Sequence, residues 1–137
     1  MVGKGFPPRL SRDARRYKTM KTILIADDSA SIRKLVESIL RSEGHQVLVA
    51  EDGREALKLA FDNDIDAIIA DDDMPHLTGT EMFKILNTDP EKRGIPRIMI
   101  SGLTAIGDKP ASELADVFIS KNTDLKSQLI EALDRLL

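Results

Sequence analysis

Five acidic residues stand in two clusters, each directly after a short apolar run of the chain. They are Asp27 and Asp28 in the first cluster and Asp71, Asp72 and Asp73 in the second. Carboxylates that meet raise one another's pKa unless a cation lies between them. The chain has no cysteine, and neither of its two histidines belongs to a cluster. Oxygen ligands alone favour a hard ion, and Mg²⁺ bound by a few carboxylates, water and phosphate oxygens fits best.

A hydroxyl group and an ammonium group follow two further apolar runs. Ser101 comes directly after residues 97–100, and Lys121 comes after residues 117–119 and Ser120. If both meet the carboxylates, the ammonium group could pair with one phosphoryl oxygen and the hydroxyl could donate to another. With a cation, these are the groups that transfer of a phosphoryl group to an aspartate requires.

These side chains can meet only if the ends of the apolar runs share one edge of the fold. Short apolar runs, which predict buried strands, alternate with segments whose apolar residues repeat at helical spacing. The predicted strands are 22–26, 46–50, 66–70, 97–100 and 117–119, and the predicted helices are 32–40, 54–61, 80–86, 109–115 and 124–137. This (βα)5 order requires a parallel sheet covered on both faces. Ligands bind such sheets outside the carboxyl ends of the strands.

The first helix carries more specific predictions. Its buried face should comprise Ile32, Leu35, Val36, Ile39 and Leu40, which repeat at helical spacing. Ser29 or Ser31 is expected to cap its start, and Gly44 to end it. Both histidines, His45 and His76, are expected to be ordinary surface residues.

Each candidate site residue also has a simpler interpretation. Asp27 and Asp28 could cap the first helix and favour its dipole. Residues 71–73 could form a solvated turn, Ser101 could cap a strand end and Lys121 could be a surface lysine. Together these interpretations require an unexplained coincidence of positions, so we favour a shared site.

The ordered set of residues resembles the receiver domain of two-component response regulators. It consists of Asp27-Asp28, Asp71 with Met74-Pro75, Ser101, and Phe118 with Lys121. The resemblance covers residues 21–137 and is to the single-domain, chemotaxis type of receiver. It implies an α/β, flavodoxin-like (βα)5 fold, which is a doubly wound five-stranded parallel sheet in the order 2-1-3-4-5.

The resemblance implies a role for each acidic residue of the site except Asp72. Asp71 would accept a phosphoryl group from a sensor histidine kinase or a phosphotransfer protein. Asp28, Asp71 and the backbone carbonyl of Asp73 would bind Mg²⁺ directly, and Asp27 would bind it mainly through water.

The resemblance also implies a conformational switch. Lys121 would hold one phosphoryl oxygen, Ser101 would move to bind another, and Phe118 would rotate inward behind it. This movement would remodel the surface of the fourth helix, fifth strand and fifth helix, which partners read. Phe118 is also apolar within an apolar run, so we expect it to pack in the core.

Two features depart from the family pattern. Asn122 stands where the family usually has a proline, commonly in a cis peptide bond, and it could instead cap the last helix. Gly107 and Pro110 shorten the fourth helix, because proline costs about 3 kcal/mol in a helix interior. That helix should therefore run from about Lys109 to Ala115.

Composition and charge divide the chain into two parts. With 42% hydrophobic and 31% charged residues it is typical of a globular protein, and the lack of cysteine, signal peptide and long apolar run favours a cytoplasmic location. The first 19 residues sum to a charge of +5, which leaves −8 for residues 20–137 of the total of −3. We therefore predict a disordered basic N-terminal extension over 1–19 and a receiver domain over 20–137. The extension is interpreted as an unstructured leader, or as sequence upstream of a start at Met20, rather than as a nucleic-acid or membrane arm.

Two other functions compete with a phosphorylation-activated switch. Asp71 and Asp73 match the start of the DxD motif of haloacid-dehalogenase-type phosphatases, although Pro75 stands where those enzymes usually have threonine or valine. The chain could also be a receiver-like interaction module that takes no phosphate. We predict a switch and no enzyme beyond slow self-phosphorylation and self-dephosphorylation, with no membrane partner and no nucleic acid bound by this domain alone.

Overall fold

Five parallel strands form one sheet. A computed structural model describes residues 20–102, 114–121 and 124–137 of the chain. The strands are β1 (Thr22–Ala26), β2 (Gln46–Ala50), β3 (Ala67–Asp71), β4 (Arg97–Ser101) and β5 (Val117–Ser120), and the helices are α1 (Ala30–Ser42), α2 (Gly53–Asp62), α3 (Gly79–Asn87) and the C-terminal helix (Leu125–Leu136). The strand order is β2-β1-β3-β4-β5, which confirms the predicted fold. The order reverses between β1 and β3, where such sheets bind ligands.

Alternate residues of the central strands pack into two separate cores. Ile23 and Ile25 of β1 pack with apolar residues of α1 and the C-terminal helix. Leu24 and Ala26 pack with residues of α2 and α3 on the other face of the sheet. All four side chains are at most 1% exposed. Burial on both faces explains why the strands are continuous apolar runs rather than alternating ones.

The carboxyl ends of three strands reach one residue further than predicted. β3 begins at Ala67 rather than Asp66 and ends at Asp71, while β4 and β5 end at Ser101 and Ser120. Asp66 instead accepts a hydrogen bond through its side chain from the backbone N–H of Thr22 at 2.8 Å. Asp71 is therefore held in the strand ladder, where it pairs with Ile100, and is not part of a loop.

The buried face of α1 is narrower than predicted. Val36, Ile39 and Leu40 are buried, but Leu35 is 48% exposed, so its assignment to the buried face is wrong. Leu35 lies at the edge of the apolar stripe, where α1 no longer meets the sheet. Ser29 is the N-cap and its side chain accepts from the backbone N–H of Ile32 at 3.4 Å, which settles the choice between the two predicted caps.

Several predictions concern residues outside the described ranges. These are the disordered extension over 1–19, most of the fourth helix and the peptide bond between Lys121 and Asn122. Asp124 is the N-cap of the C-terminal helix, because its side chain accepts from the backbone N–H of Ser127 at 3.3 Å. The prediction that Asn122 caps this helix is therefore wrong. Within the described part of the chain, no helix is both long enough and apolar enough to cross a membrane.

His45 is not the ordinary surface residue that the sequence suggested. Its ring is half-buried, and Nδ1 accepts a hydrogen bond from the backbone N–H of Lys21 at 3.1 Å. Burial lowers the pKa of His45 from its ordinary value of 6.5, and the charges of Glu43 and Asp134 oppose this only in part. The fold therefore favours the neutral imidazole.

We expect His45 to make the fold less stable in mild acid. Because its pKa is lower in the folded state, the unfolded chain binds a proton first as the pH falls below 6.5. The part of the free energy of unfolding that depends on neutral His45 is fully present above that pH and is lost progressively below it. In urea unfolding between about pH 8 and about pH 5.5, the wild type should lose more free energy of unfolding than His45→Asn, which keeps an acceptor but does not titrate. Equal losses in the two proteins would contradict this role.

Candidate functional site

The candidate site residues converge at the carboxyl edge of the sheet, as predicted. Asp27 directly follows β1, and Lys121 directly follows β5. Asp71 and Ser101 are the last residues of β3 and β4. Because these strands are parallel, their ends meet at one edge, and the simpler interpretations as separate turns and surface residues do not account for the arrangement.

Three carboxylates form one group at this edge. Asp27, Asp28 and Asp71 each offer an oxygen atom that lies within 4.8 Å of the others. Asp27 and Asp71 are only 1% and 5% exposed, whereas Asp28 is exposed. Asp27 Oδ1 accepts from the backbone N–H of Ser29 at 2.8 Å, and Arg33 Nη1 donates to the Asp27 backbone carbonyl at 2.7 Å. Asp27 is therefore anchored through its backbone and through one carboxylate oxygen.

Lys121 connects the two buried carboxylates. Its Nζ donates to Asp71 Oδ2 at 3.0 Å and forms an ion pair with Asp27 Oδ2 at the same distance. Burial by itself lowers the pKa of Lys121, but the contacts with Asp27 and Asp71 outweigh it and raise the pKa. Lys121 is thus a charged, largely buried member of the site.

The surroundings of the Asp71 carboxylate disfavour its charged form. Burial raises its pKa, and the nearby charge of Asp27 raises it further, while the hydrogen bonds from Lys121 and from the Asp73 backbone N–H lower it. The net effect is a pKa above the ordinary value of 3.8. A cation or a positively charged neighbour is what keeps such a group ionised.

The residues present fit a hard cation. Asp27 Oδ2 is buried and, within the described residues, makes no aligned hydrogen bond, so it retains an acceptor position beside the ion pair. The atoms with which the group could bind a metal ion are all carboxylate oxygens, which are the ligands that Mg²⁺ prefers. Asp73 is exposed and its backbone N–H donates to Asp71 Oδ1 at 3.3 Å. The role of its backbone carbonyl as a ligand stays a prediction.

The two predicted switch residues lie in β4 and β5. Ser101 is 6% exposed, and its backbone carbonyl accepts from the backbone N–H of Lys121 at 2.8 Å. Phe118 is half-buried, pairs with Met99 in the register of β4 and β5, and packs against the core that contains Met99. Its core packing is confirmed, and the movements of Ser101 and Phe118 stay predictions.

Two glycines that were not predicted to be site residues pack closely against the loop after Asp71. A Cβ atom on Gly79 would lie 2.6 Å from the backbone carbonyl oxygen of Asp71. A Cβ atom on Gly53 would lie 2.1 Å from the carbonyl oxygen of Leu77, within the same loop. Both glycines are the first residue of a helix, although glycine forms a helix less readily than almost any other residue. That placement is the signal that could have identified them.

Comparison with known proteins gives one family for most of the chain. The family model of the response regulator receiver domain matches residues 23–134. Among curated relatives, the probable transcriptional regulator ycf27 of Guillardia theta is 37% identical over 92 residues, which is 67% of this chain. The matched region spans 35% of the length of that relative.

Solved structures extend the comparison to the fold. The chemotaxis response regulator CheY4 of Vibrio cholerae is similar at a TM-score of 0.79 and 32% identity, covering 86% of this chain and 99% of that one. The response regulator protein TrrA of Thermotoga maritima, solved in complex with Mg²⁺-BeF, gives a TM-score of 0.78 at 31% identity, covering 86% and 100%.

Proposed function

Because the chain belongs to the response regulator receiver domain family, we propose that it takes up a phosphoryl group on Asp71. The modified form would then bind a partner differently from the unmodified one, so that the domain acts as a signalling switch. A dedicated enzyme of the haloacid-dehalogenase type is not favoured, since the family that matches most of the chain is a receiver domain.

One observation carries this proposal. Lys121 Nζ lies 3.0 Å from a carboxylate oxygen of both Asp71 and Asp27, although the three residues come from separate strand ends. A receiver that only bound other proteins would have no need for a largely buried lysine between two buried carboxylates. The arrangement therefore favours a switch that reacts over a phosphorylation-independent interaction module.

The chemical step uses Asp71 as the nucleophile. One of its carboxylate oxygens attacks the phosphorus atom of the donor and forms a new O–P bond. The bond from phosphorus to the donor breaks, which is an N–P bond in a phosphohistidine and an O–P bond in acetyl phosphate. The leaving imidazole or acetate keeps the electron pair, and the imidazole takes a proton from water.

The neighbouring residues manage charge during this step. Lys121, already beside Asp71, is placed to bind an oxygen of the transferred group, and its contacts keep it protonated. Mg²⁺ bound by Asp27, Asp28, Asp71 and the Asp73 carbonyl would neutralise the remaining negative charge of the carboxylates and the phosphoryl group. The similar protein TrrA was solved in complex with Mg²⁺-BeF, which supports a role for Mg²⁺ in this chain.

The modified site would be read through neighbouring elements. Ser101 at the end of β4 and Phe118 in β5 would respond to the phosphoryl group, and their movement would alter the surface formed by the predicted fourth helix, β5 and the C-terminal helix. The donor would be a sensor histidine kinase or a phosphotransfer protein in the cytoplasm. The partner that reads the surface would be another protein.

The proposal is tested by phosphorylation with a small donor. Incubation with acetyl phosphate and Mg²⁺ should add one phosphoryl group to the wild-type chain, as measured by intact mass. Because charge neutralisation requires the cation, the same incubation with EDTA should reduce the yield by at least about tenfold. A chain that gains no phosphoryl group with Mg²⁺, from acetyl phosphate or phosphoramidate, would refute the function.

A further inference from the structure

Asp72 lies between the proposed acceptor and a proposed metal ligand, yet its side chain turns away from both. Its Oδ1 atom accepts two hydrogen bonds from Thr80, one from the backbone N–H at 2.8 Å and one from the hydroxyl at 2.6 Å. Thr80 is the second residue of α3. The Asp72 carboxylate thereby pairs one of the N–H groups that a helix start leaves unpaired. A solvated turn over residues 71–73 would not need a contact that spans eight residues.

The backbone of Asp72 makes a second connection to the same helix. Its carbonyl oxygen accepts from the backbone N–H of Gly79 at 3.1 Å and from that of Met74 at 3.1 Å. Gly79 also approaches the carbonyl of Asp71 so closely that a Cβ atom would lie 2.6 Å from its oxygen. Asp72 therefore links the start of α3 to the end of β3.

These contacts extend to the carboxylate of Asp71, the proposed acceptor. The backbone N–H of Asp73 donates to Asp71 Oδ1 at 3.3 Å. The position of that N–H depends on the loop backbone directly after Asp72, which Thr80 and Gly79 hold. A continuous set of contacts thus runs from α3 through Asp72 to the orientation of the Asp71 carboxylate.

We propose that Asp72 is a positioning residue for phosphoryl uptake: held by Thr80, its carboxylate fixes the loop whose Asp73 N–H orients Asp71. The inference rests on the proposed function of Asp71. It assigns Asp72 a role as a hydrogen-bond acceptor, and its negative charge is not what matters. That distinction makes the proposal testable, because asparagine keeps the acceptor and removes the charge.

The experiment compares matched substitutions on both sides of the contact. Asp72→Ala removes both hydrogen bonds and Thr80→Val removes the one from the hydroxyl, whereas Asp72→Asn and Thr80→Ser keep acceptor and donor. We expect Asp72→Ala to take up phosphoryl from acetyl phosphate and Mg²⁺ more slowly by about tenfold to 100-fold, as expected when a reacting group is misplaced. Thr80→Val should be slowed less, because the backbone N–H of residue 80 still donates to Asp72. The conservative variants should keep most of the wild-type rate. The double variant Asp72→Ala/Thr80→Val should be no slower than Asp72→Ala alone, because both changes break the same connection.

Two further measurements separate positioning from a loss of folding. The NMR signal of the Asp73 amide should shift and its hydrogen exchange should quicken in Asp72→Ala, without any phosphodonor present. Urea unfolding should show that the variant remains folded under the assay conditions. If Asp72→Ala does not fold, Thr80→Val alone gives the same comparison with Thr80→Ser.

The outcomes distinguish this inference from the proposed function. A wild-type rate and an unchanged Asp73 amide in the folded Asp72→Ala variant would overturn the positioning role and leave Asp71 as the acceptor. Equal impairment of Asp72→Asn and Asp72→Ala would also overturn it, because the charge would then be the cause. A wild-type chain that takes up no phosphoryl group would overturn both proposals together.

Discussion

The Asp71→Asn variant is expected to take up no phosphoryl group under conditions in which the wild-type chain gains one. The carboxamide has nearly the size of the carboxylate but lacks a nucleophilic oxygen, so uptake should drop by at least about 1000-fold. The measurement is intact mass after incubation with acetyl phosphate and Mg²⁺. Because an acyl phosphate is labile to hydroxylamine, the wild-type product should lose its phosphoryl group on that treatment.

Loss of uptake in this variant should not arise from unfolding. The pKa of Asp71 is raised mainly by burial, which means that the folded state disfavours its charge. Removing that charge should leave the free energy of unfolding unchanged or increase it, and urea unfolding checks this. Asp64→Asn is the matched control, since Asp64 is exposed and precedes the opposite end of β3. Full phosphoryl uptake by Asp71→Asn would place the acceptor on another residue, with Asp27 and Asp28 as the first candidates.

Replacing Gly53 with alanine is expected to destabilise the fold and impair the site together. The new Cβ atom would lie 2.1 Å from the carbonyl oxygen of Leu77, a contact that backbone atoms cannot relieve without moving. Alanine favours a helix over glycine by at most about 1 kcal/mol, whereas overpacking costs typically about 1–3 kcal/mol. The clash should therefore dominate. Urea unfolding should show a net loss of about 1–2 kcal/mol, and phosphoryl uptake should slow because Leu77 belongs to the loop after Asp71.

Gly94→Ala provides the control for that prediction. Apart from Gly94 and its two chain neighbours, the described residues place no heavy atom within 4 Å of the position that its Cβ would take. The same change of residue type should be neutral there, or stabilising by less than about 1 kcal/mol. If Gly53→Ala matches Gly94→Ala in stability and in rate, the close approach of α2 to the loop does not constrain the site.

The strands and the site edge were predictable because local signals agree with the tertiary structure. A strand buried on both faces must be apolar throughout, so β1 and β3 are visible as uninterrupted runs. Parallel strands place their carboxyl ends together, so the residues that follow them had to meet. That Asp27, Asp71 and Lys121 share one edge of the sheet follows from these two facts.

Predictions that depend on contacts between elements were less accurate. The helical spacing of Leu35 matches its buried neighbours, but whether it meets the sheet depends on how α1 is rotated against β1 and β2. His45 carries no local signal that its ring accepts a bond from Lys21, since the partner lies 24 residues earlier. Asp124 rather than Asn122 caps the C-terminal helix, because helix ends are set by backbone geometry that either residue type could supply.

The amino-acid sequence by itself determined the order of strands and helices and the acidic, hydroxyl and ammonium groups at the strand ends. Those features depend on residue type and on spacing along the chain, which the sequence contains directly. The tertiary structure alone decided that Lys121 lies between Asp27 and Asp71. It also decided that Asp72 accepts hydrogen bonds from α3 and that Gly53 and Gly79 pack closely against the loop after Asp71. The reason is physical: these are contacts of a few ångströms between distant residues, and small rotations and shifts of packed elements make or break them.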